Sequence, residues 1–212
     1  MVTNQPGIHP DLERIVARHR EASWRQPLHP ASRPAFEALV RTRSDRPLVL
    51  DSGCGTGEST VALAARFPDR FVVGIDRSAD RLARAPRPLP PNALLLRARV
   101  EDIWRLLDEH GIRPARHYLL YPNPWPKSAH VRRRWHGHPV FPLVLELSDR
   151  LELRANWRIY LEEFRAAAAV CGIETRPVVS FQPNAPLTPF ERKFRASGHE
   201  LFRLTIEPEK PQ

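Results

Sequence analysis

Two carboxylates and three glycines stand at spacings that suit a small-molecule site. Asp51 closes the apolar run Leu48-Val49-Leu50, and Gly53, Gly55 and Gly57 alternate directly after it. A helical pattern opens at Glu58, so the order reads strand, tight turn, helix N-terminus. Alternating glycines withdraw their Cβ atoms and let a ligand lie against the main chain, while the helix directs free N–H groups into the same space. A second apolar run, Phe71 to Ile75, ends in Asp76. That acid lies about twenty positions past the glycines, where a βαβ nucleotide site holds a ribose hydroxyl pair. The spacing G-x-G-x-G departs from the dinucleotide pattern, and no Lys-Ser or Lys-Thr pair marks a phosphate loop. An adenosine ligand without a phosphate remains, against the plainer alternative of a glycine turn that serves packing.

Farther along, Asn123 sits between Pro122 and Pro124, whose rings restrict the backbone on both sides. Trp125 and Lys127 follow, and His130, Arg132, Arg133, Arg134, Trp135, His136 and His138 make a dense basic tract. Cations there would engage phosphates and a Trp could stack on a base; the plainer alternative is a solvated charged face. Asn156-Trp157 and the stretch Thr188-Pro189-Phe190-Glu191 are the remaining polar positions of interest.

These groups need a scaffold that brings them to one edge. Strands are expected at 48–51, 70–76, 93–97, 117–121, 151–154, 174–181 and 201–206. Helices are expected from Leu12 with Asp11 as cap, over 35–43, from Glu58, over 80–84, from Glu101, and over 158–170 with Gly172 as stop. Strands alternating with helices make an α/β chain with a mostly parallel, doubly wound sheet. Ligands of such sheets bind beyond the carboxyl ends of the strands, so Asp51, Asp76, Asn123 and Asn156 should share one crevice. The chain divides into a helical extension (1–44), whose first ten residues read as extended or disordered, the α/β domain (45–207) and a tail (208–212). Ser23-Trp24-Arg25-Gln26 either touches RNA or packs inward.

Composition sets the outer bounds. With 212 residues, 42% apolar and no run of membrane-spanning length, one domain with a real core is expected. No signal peptide is evident, and the two cysteines, Cys54 and Cys171, make neither a disulfide framework nor a zinc site. A cytoplasmic protein without metal is the expectation. The net charge of +9 and pI near 10.6 favour a polyanionic partner.

With Asp51, Gly53, Gly55, Gly57 and Asp76 in place, the first half resembles class I S-adenosylmethionine-dependent methyltransferases. That implies a Rossmann-like fold and S-adenosyl-L-methionine as cofactor. Glu101 and Asp102 lie where such a fold would hold the adenine amino group, or they merely favour the start of their helix. Pro122-x-Pro124-Trp125-x-Lys127, His130 and the basic residues, Asn156-Trp157 with Tyr160, and Thr188-x-Phe190-Glu191 resemble the tRNA guanine-N7 methyltransferase family, in the family's order. The resemblance implies methyl transfer to guanine N7 of tRNA by a cytoplasmic monomer or homodimer, with no membrane. It assigns Asn123 to the reacting position and Lys127, Asn156, Thr188, Phe190 and Glu191 to substrate binding, with Arg132 and Arg133 toward the RNA. Asn123 and Asn156 stand where the family usually has Asp, Arg99 where an acid is common, and the Gly-Gly turn before the fifth strand is missing. Two rivals remain: an amino-group methyltransferase using Asn123-Pro124-Trp125, and a catalytically degenerate cofactor- or RNA-binding homologue.

Overall fold

Short apolar runs bounded by glycine and proline become seven strands among the described residues: β1 (Leu48–Ser52), β2 (Phe71–Asp76), β3 (Ala93–Arg97), β4 (Arg116–Leu120), β5 (Leu151–Ala155), β6 (Val179–Phe181) and β7 (Leu201–Ile206). The computed structural model, which describes residues 5–22 and 24–207, joins them in one sheet in the order β3-β2-β1-β4-β5-β7-β6. β1 to β5 are parallel, and β7 runs antiparallel to both β5 and β6. The strand order reverses between β1 and β4, the position beyond which open sheets of this kind bind their ligands. Asp51 and Asp76 stand at the carboxyl ends of β1 and β2, with Asn123 and Asn156 just past β4 and β5.

The helices are α1 (Leu12–Glu21), α2 (Ser32–Arg43), α3 (Glu58–Arg66), α4 (Ala79–Leu82), α5 (Val100–Glu109), α6 (Phe141–Glu146), α7 (Arg158–Val170) and α8 (Pro189–Ala196). Alternate strand residues point to opposite faces. Leu48, Leu50, Val73, Ile75, Leu151 and Leu153 enter the larger core, which takes in Leu12, Leu39, Trp104 and Phe164 from the helices. Val49, Val72 and Tyr118 face the other way, onto Leu63 and Ala64 of α3. α1 packs on α6 and α7, and α2 on α5 and β3, so the N-terminal extension lies against the sheet's helical layer. No helix among the described residues is long and apolar enough to cross a membrane.

Several local expectations need correction. Gln5 is only 5% exposed and hydrogen-bonded to Glu163, so residues 5–10 are held rather than disordered; residues 1–4, Ser23 and the tail 208–212 lie outside the described residues. Asp11 precedes α1 but pairs with Arg14 instead of accepting a backbone N–H. α2 starts at Ser32 rather than at the expected residue 35, because Pro34 is tolerated in the first turn, where its missing N–H has no helical partner to lose. Only Val179–Phe181 of the expected strand 174–181 pairs with β7. α6, α8 and the 3₁₀ turns Ser128–Arg133 and Trp135–Gly137 were not foreseen.

Candidate active site

The glycine loop is stitched to β2 and open above. The N–H groups of Gly53 and Cys54 donate to the Ile75 carbonyl at 2.8 and 3.0 Å, and Gly55 N–H donates to Asp76 Oδ2 at 3.0 Å. Gly53 and Gly55 have φ of 78° and 60°, and a Cβ added to either would meet nothing within 4 Å. Gly57 differs. Its φ is 75°, and a Cβ there would come within 2.9 Å of Leu95, so this glycine serves the packing of the loop on β3.

The two strand-end carboxylates are buried but differently supplied. Asp51 Oδ2 accepts from Ser59 Oγ at 2.6 Å and Thr60 Oγ1 at 2.7 Å, whereas its Oδ1 is buried with no partner. Burial pushes the Asp51 carboxyl up to about 6, with nearby Asp76 adding to the rise and the two hydroxyls opposing it. Asp76 also accepts from Ser78 N–H at 2.8 Å and pairs with the half-exposed Arg81 at 3.1 Å. Glu101 is half-buried, and burial raises its carboxyl above the ordinary range. Asp102 is committed elsewhere: its Oδ2 accepts from His29 N–H at 2.9 Å and Ser32 Oγ at 2.7 Å, anchoring the start of α2.

Beyond β4 the chain turns sharply. Tyr121 and Trp125 have φ of 52° and 44°, in the left-handed region that residues with side chains avoid. Asn123 lies exposed between them, and its Oδ1 accepts from Trp125 N–H at 3.3 Å. Lys127, Arg132 and Arg133 are exposed, and the Arg133 guanidinium covers the Trp125 ring at 4.8 Å. The rest of the tract turns inward. Arg134 and His136 are fully buried, and Trp135 meets Trp104 edge-on at 4.8 Å instead of offering a face to a base. Trp24 likewise packs, edge-on to His138 at 5.0 Å.

At the end of β5, Asn156 is half-buried, and α8 is joined to this strand by the Arg154–Glu191 pair. Thr188 Oγ1 caps α8 by accepting from Glu191 N–H at 3.1 Å, and Glu191 Oε2 accepts from Leu187 N–H at 2.6 Å. Glu191 is 0% exposed; its Oε1 accepts from Arg154 Nη1 at 2.8 Å and from Tyr121 OH at 3.2 Å. Glu152 binds the other edge of the Arg154 guanidinium, at 2.6 Å from Nη2. Thr188 and Glu191 are thus engaged inside the protein, while Phe190, 56% exposed, stacks on Tyr121 and Phe194 at the rim. Arg192 of α8 bonds Glu58, which ties this helix to the glycine loop.

Sequence reasoning places Arg134 among the phosphate-engaging cations of the tract, whereas it is buried, and it gives no site role to the buried Arg154 or to Tyr121. A signal existed for the first: Val131, Arg134 and Gly137 recur every third residue, the period of a 3₁₀ turn, and all three are buried.

The residues present fit an adenosyl sulfonium cofactor. A cradle open above Gly53 and Gly55, a buried Asp51 oxygen without a partner, and the Asp76 carboxylate provide room, an acceptor for a cationic amino group and an acceptor for sugar hydroxyls.

Comparison with known proteins agrees with this arrangement. A family model described as "Putative methyltransferase" matches residues 45–204. A tRNA (guanine-N(7)-)-methyltransferase of Nocardioides sp. is 31% identical over 208 residues, covering 92% of this chain and 81% of the relative. One from Leifsonia xyli is 28% identical, covering 76% of each chain. Among solved structures, the 16S rRNA methyltransferase KamB superposes with a TM-score of 0.60 at 18% identity, over 87% of this chain and 96% of the other. A 16S rRNA (adenine(1408)-N(1))-methyltransferase from Catenulisporales acidiphilia, solved with its cosubstrate SAM, gives 0.58 at 18% identity over 84% and 92%. The structural likeness establishes the class I methyltransferase fold, and the sequence relatives go further: this chain belongs to the tRNA (guanine-N(7)-)-methyltransferase family.

Proposed function

We propose that the protein transfers the methyl group of S-adenosyl-L-methionine to N7 of a guanine in tRNA. The observation that carries this reading is the convergence of the open glycine cradle and the Asn123 loop at one switch point of the sheet, in a chain of this family. Asp51, Gly53, Gly55, Asp76 and Glu101 are the proposed cofactor-binding residues. Gly57 and Asp102 support them from behind, given that Gly57 packs the loop on Leu95 and Asp102 anchors the start of α2.

S-adenosyl-L-methionine, when bound, supplies an electrophilic methyl group on a sulfonium. Guanine N7 offers a lone pair and carries no proton, so the chain need not provide a general base. Its task is alignment of the two reactants. Asn123 is proposed to accept a hydrogen bond from the guanine N–H edge, with Lys127 and Asn156 orienting the nucleotide and exposed Arg132 and Arg133 holding phosphates. Phe190 offers a stacking face at the rim, while Thr188 and Glu191 place the helix that carries it. An amino-group reading is less well supported, because the sequence relatives are tRNA (guanine-N(7)-)-methyltransferases. We place the protein in the cytoplasm as a monomer or homodimer, in keeping with its two free cysteines.

Replacing guanosine by 7-deazaguanosine in a tRNA transcript removes the N7 lone pair and leaves the Watson–Crick edge intact. The expected result is methyl transfer to the guanosine transcript and none to the deaza transcript. Equal transfer to both would exclude N7 as the target.

A further inference from the structure

Arg134 is the one arginine of the basic tract's run of three that does not face solvent. Its guanidinium lies 5.0 Å from the Trp157 ring, next to Asn156. Nε and Nη2 both donate to the Trp125 carbonyl, at 3.2 and 2.9 Å, and Nη2 also reaches the Lys127 carbonyl at 3.3 Å. Nη1 pairs with Glu163 of α7. Gln5 closes the figure, accepting from Arg134 Nη2 at 2.9 Å and donating to Glu163 Oε1 at 2.5 Å. Glu163 accepts further bonds from His136 Nε2 at 2.9 Å and His9 N–H at 3.0 Å. Burial works against a charged Glu163, but the bonds and charges around it outweigh that and hold the carboxyl well below its ordinary range.

What these bonds hold is a strained loop. A left-handed φ at Tyr121 and another at Trp125 flank Asn123, and such conformations persist where the surroundings over-determine them. Two of the Arg134 bonds fall on the carbonyl of Trp125 itself. A planar guanidinium reaches several acceptors in one plane, which a lysine ammonium cannot do.

We propose that Arg134 is a positioning residue for methyl transfer, fixing the Asn123–Lys127 backbone through the Trp125 and Lys127 carbonyls, with Glu163 and Gln5 closing the clamp. The inference rests on the reading of that loop as the methyl-accepting side of the site. It makes the N-terminal segment part of the catalytic architecture: Gln5 bridges the arginine and the glutamate from outside the α/β domain.

The test compares wild type, Arg134→Lys and Gln5→Ala in 7-methylguanosine formation on tRNA, cofactor affinity by calorimetry, and thermal stability. A displaced loop should lower kcat about tenfold or more in Arg134→Lys and about threefold or more in Gln5→Ala. Cofactor Kd should stay within about twofold, since the glycine cradle is built on other strands. Wild-type kcat in both variants overturns the clamp. A kcat loss matched by an equal loss of cofactor affinity also overturns it, because that is general damage. If Arg134→Lys does not fold, Gln5→Ala decides alone, since it leaves the Arg134–Glu163 pair in place. Wild-type protein that binds cofactor but forms no 7-methylguanosine sinks the clamp together with the N7 reading, a result distinct from the other two.

Discussion

Asp51 is where burial and charge are most finely opposed. Its carboxyl titrates at about 6 in the folded protein against 3.8 ordinarily, chiefly through burial. A raised acid contributes stability that is full below the ordinary value and is lost as pH rises through about 6, roughly 3 kcal/mol in all. A cationic amino group beside the unpartnered Oδ1 would restore the charge. Cofactor affinity should therefore rise about tenfold between pH 5 and pH 7 in calorimetry, and Asp51→Asn should flatten that dependence. The glycines separate in the same way. Gly53→Ala places a methyl in the open cradle and should weaken cofactor binding more than about tenfold, at a backbone cost of about 1 kcal/mol. Gly57→Ala drives a methyl against Leu95 and should lower the melting temperature more than it lowers affinity. Asn123→Asp keeps the acceptor for Trp125 N–H and adds a charge where the guanine edge is proposed to lie. Charge-assisted bonds exceed neutral ones by about 1 kcal/mol, so kcat/KM on tRNA should rise severalfold toward tenfold. An unchanged kcat/KM would remove Asn123 from the chemistry.

Among the elements, α8 carries a start signal that the sequence expectations leave unused and a motif they cannot apportion. Thr188-Pro189-Phe190-Glu191 carries a capping residue, a proline at the first helical position and an acid three residues after the cap, which together spell a helix start. The same four letters match a substrate-binding motif, and sequence cannot say which use each side chain serves. The structure gives Thr188 and Glu191 to the cap and leaves Phe190 outside. β7 and α7 were legible residue for residue, because apolar periodicity and the stop at Gly172 (φ 78°) are local signals. The buried Glu152–Arg154–Glu191 group was not, since it joins β5 to α8 across 37 residues. Arg154→Leu leaves two buried carboxylates uncompensated and should cost about 3–5 kcal/mol in denaturant unfolding. Stability within about 1 kcal/mol of wild type would mean that water reaches the pair.

Over the whole molecule, the α/β class followed from element order, whereas the division of the basic tract did not. Adjacent arginines look alike in sequence; a tight 3₁₀ turn sends Arg132 and Arg133 outward and Arg134 into the core. The exposed members and a net charge of +9 should make tRNA binding strongly salt-dependent. Each exposed arginine that contacts phosphate should reduce the slope of log K against log salt by about 1 when changed to alanine. Arg134→Lys should leave that slope unchanged. The most direct measurement is transfer of labelled methyl from S-adenosyl-L-methionine to bulk tRNA that lacks 7-methylguanosine, followed by nucleoside analysis. The expected result is label in 7-methylguanosine alone. Label in an N-methylated amine, or none while the cofactor binds, would contradict the assignment.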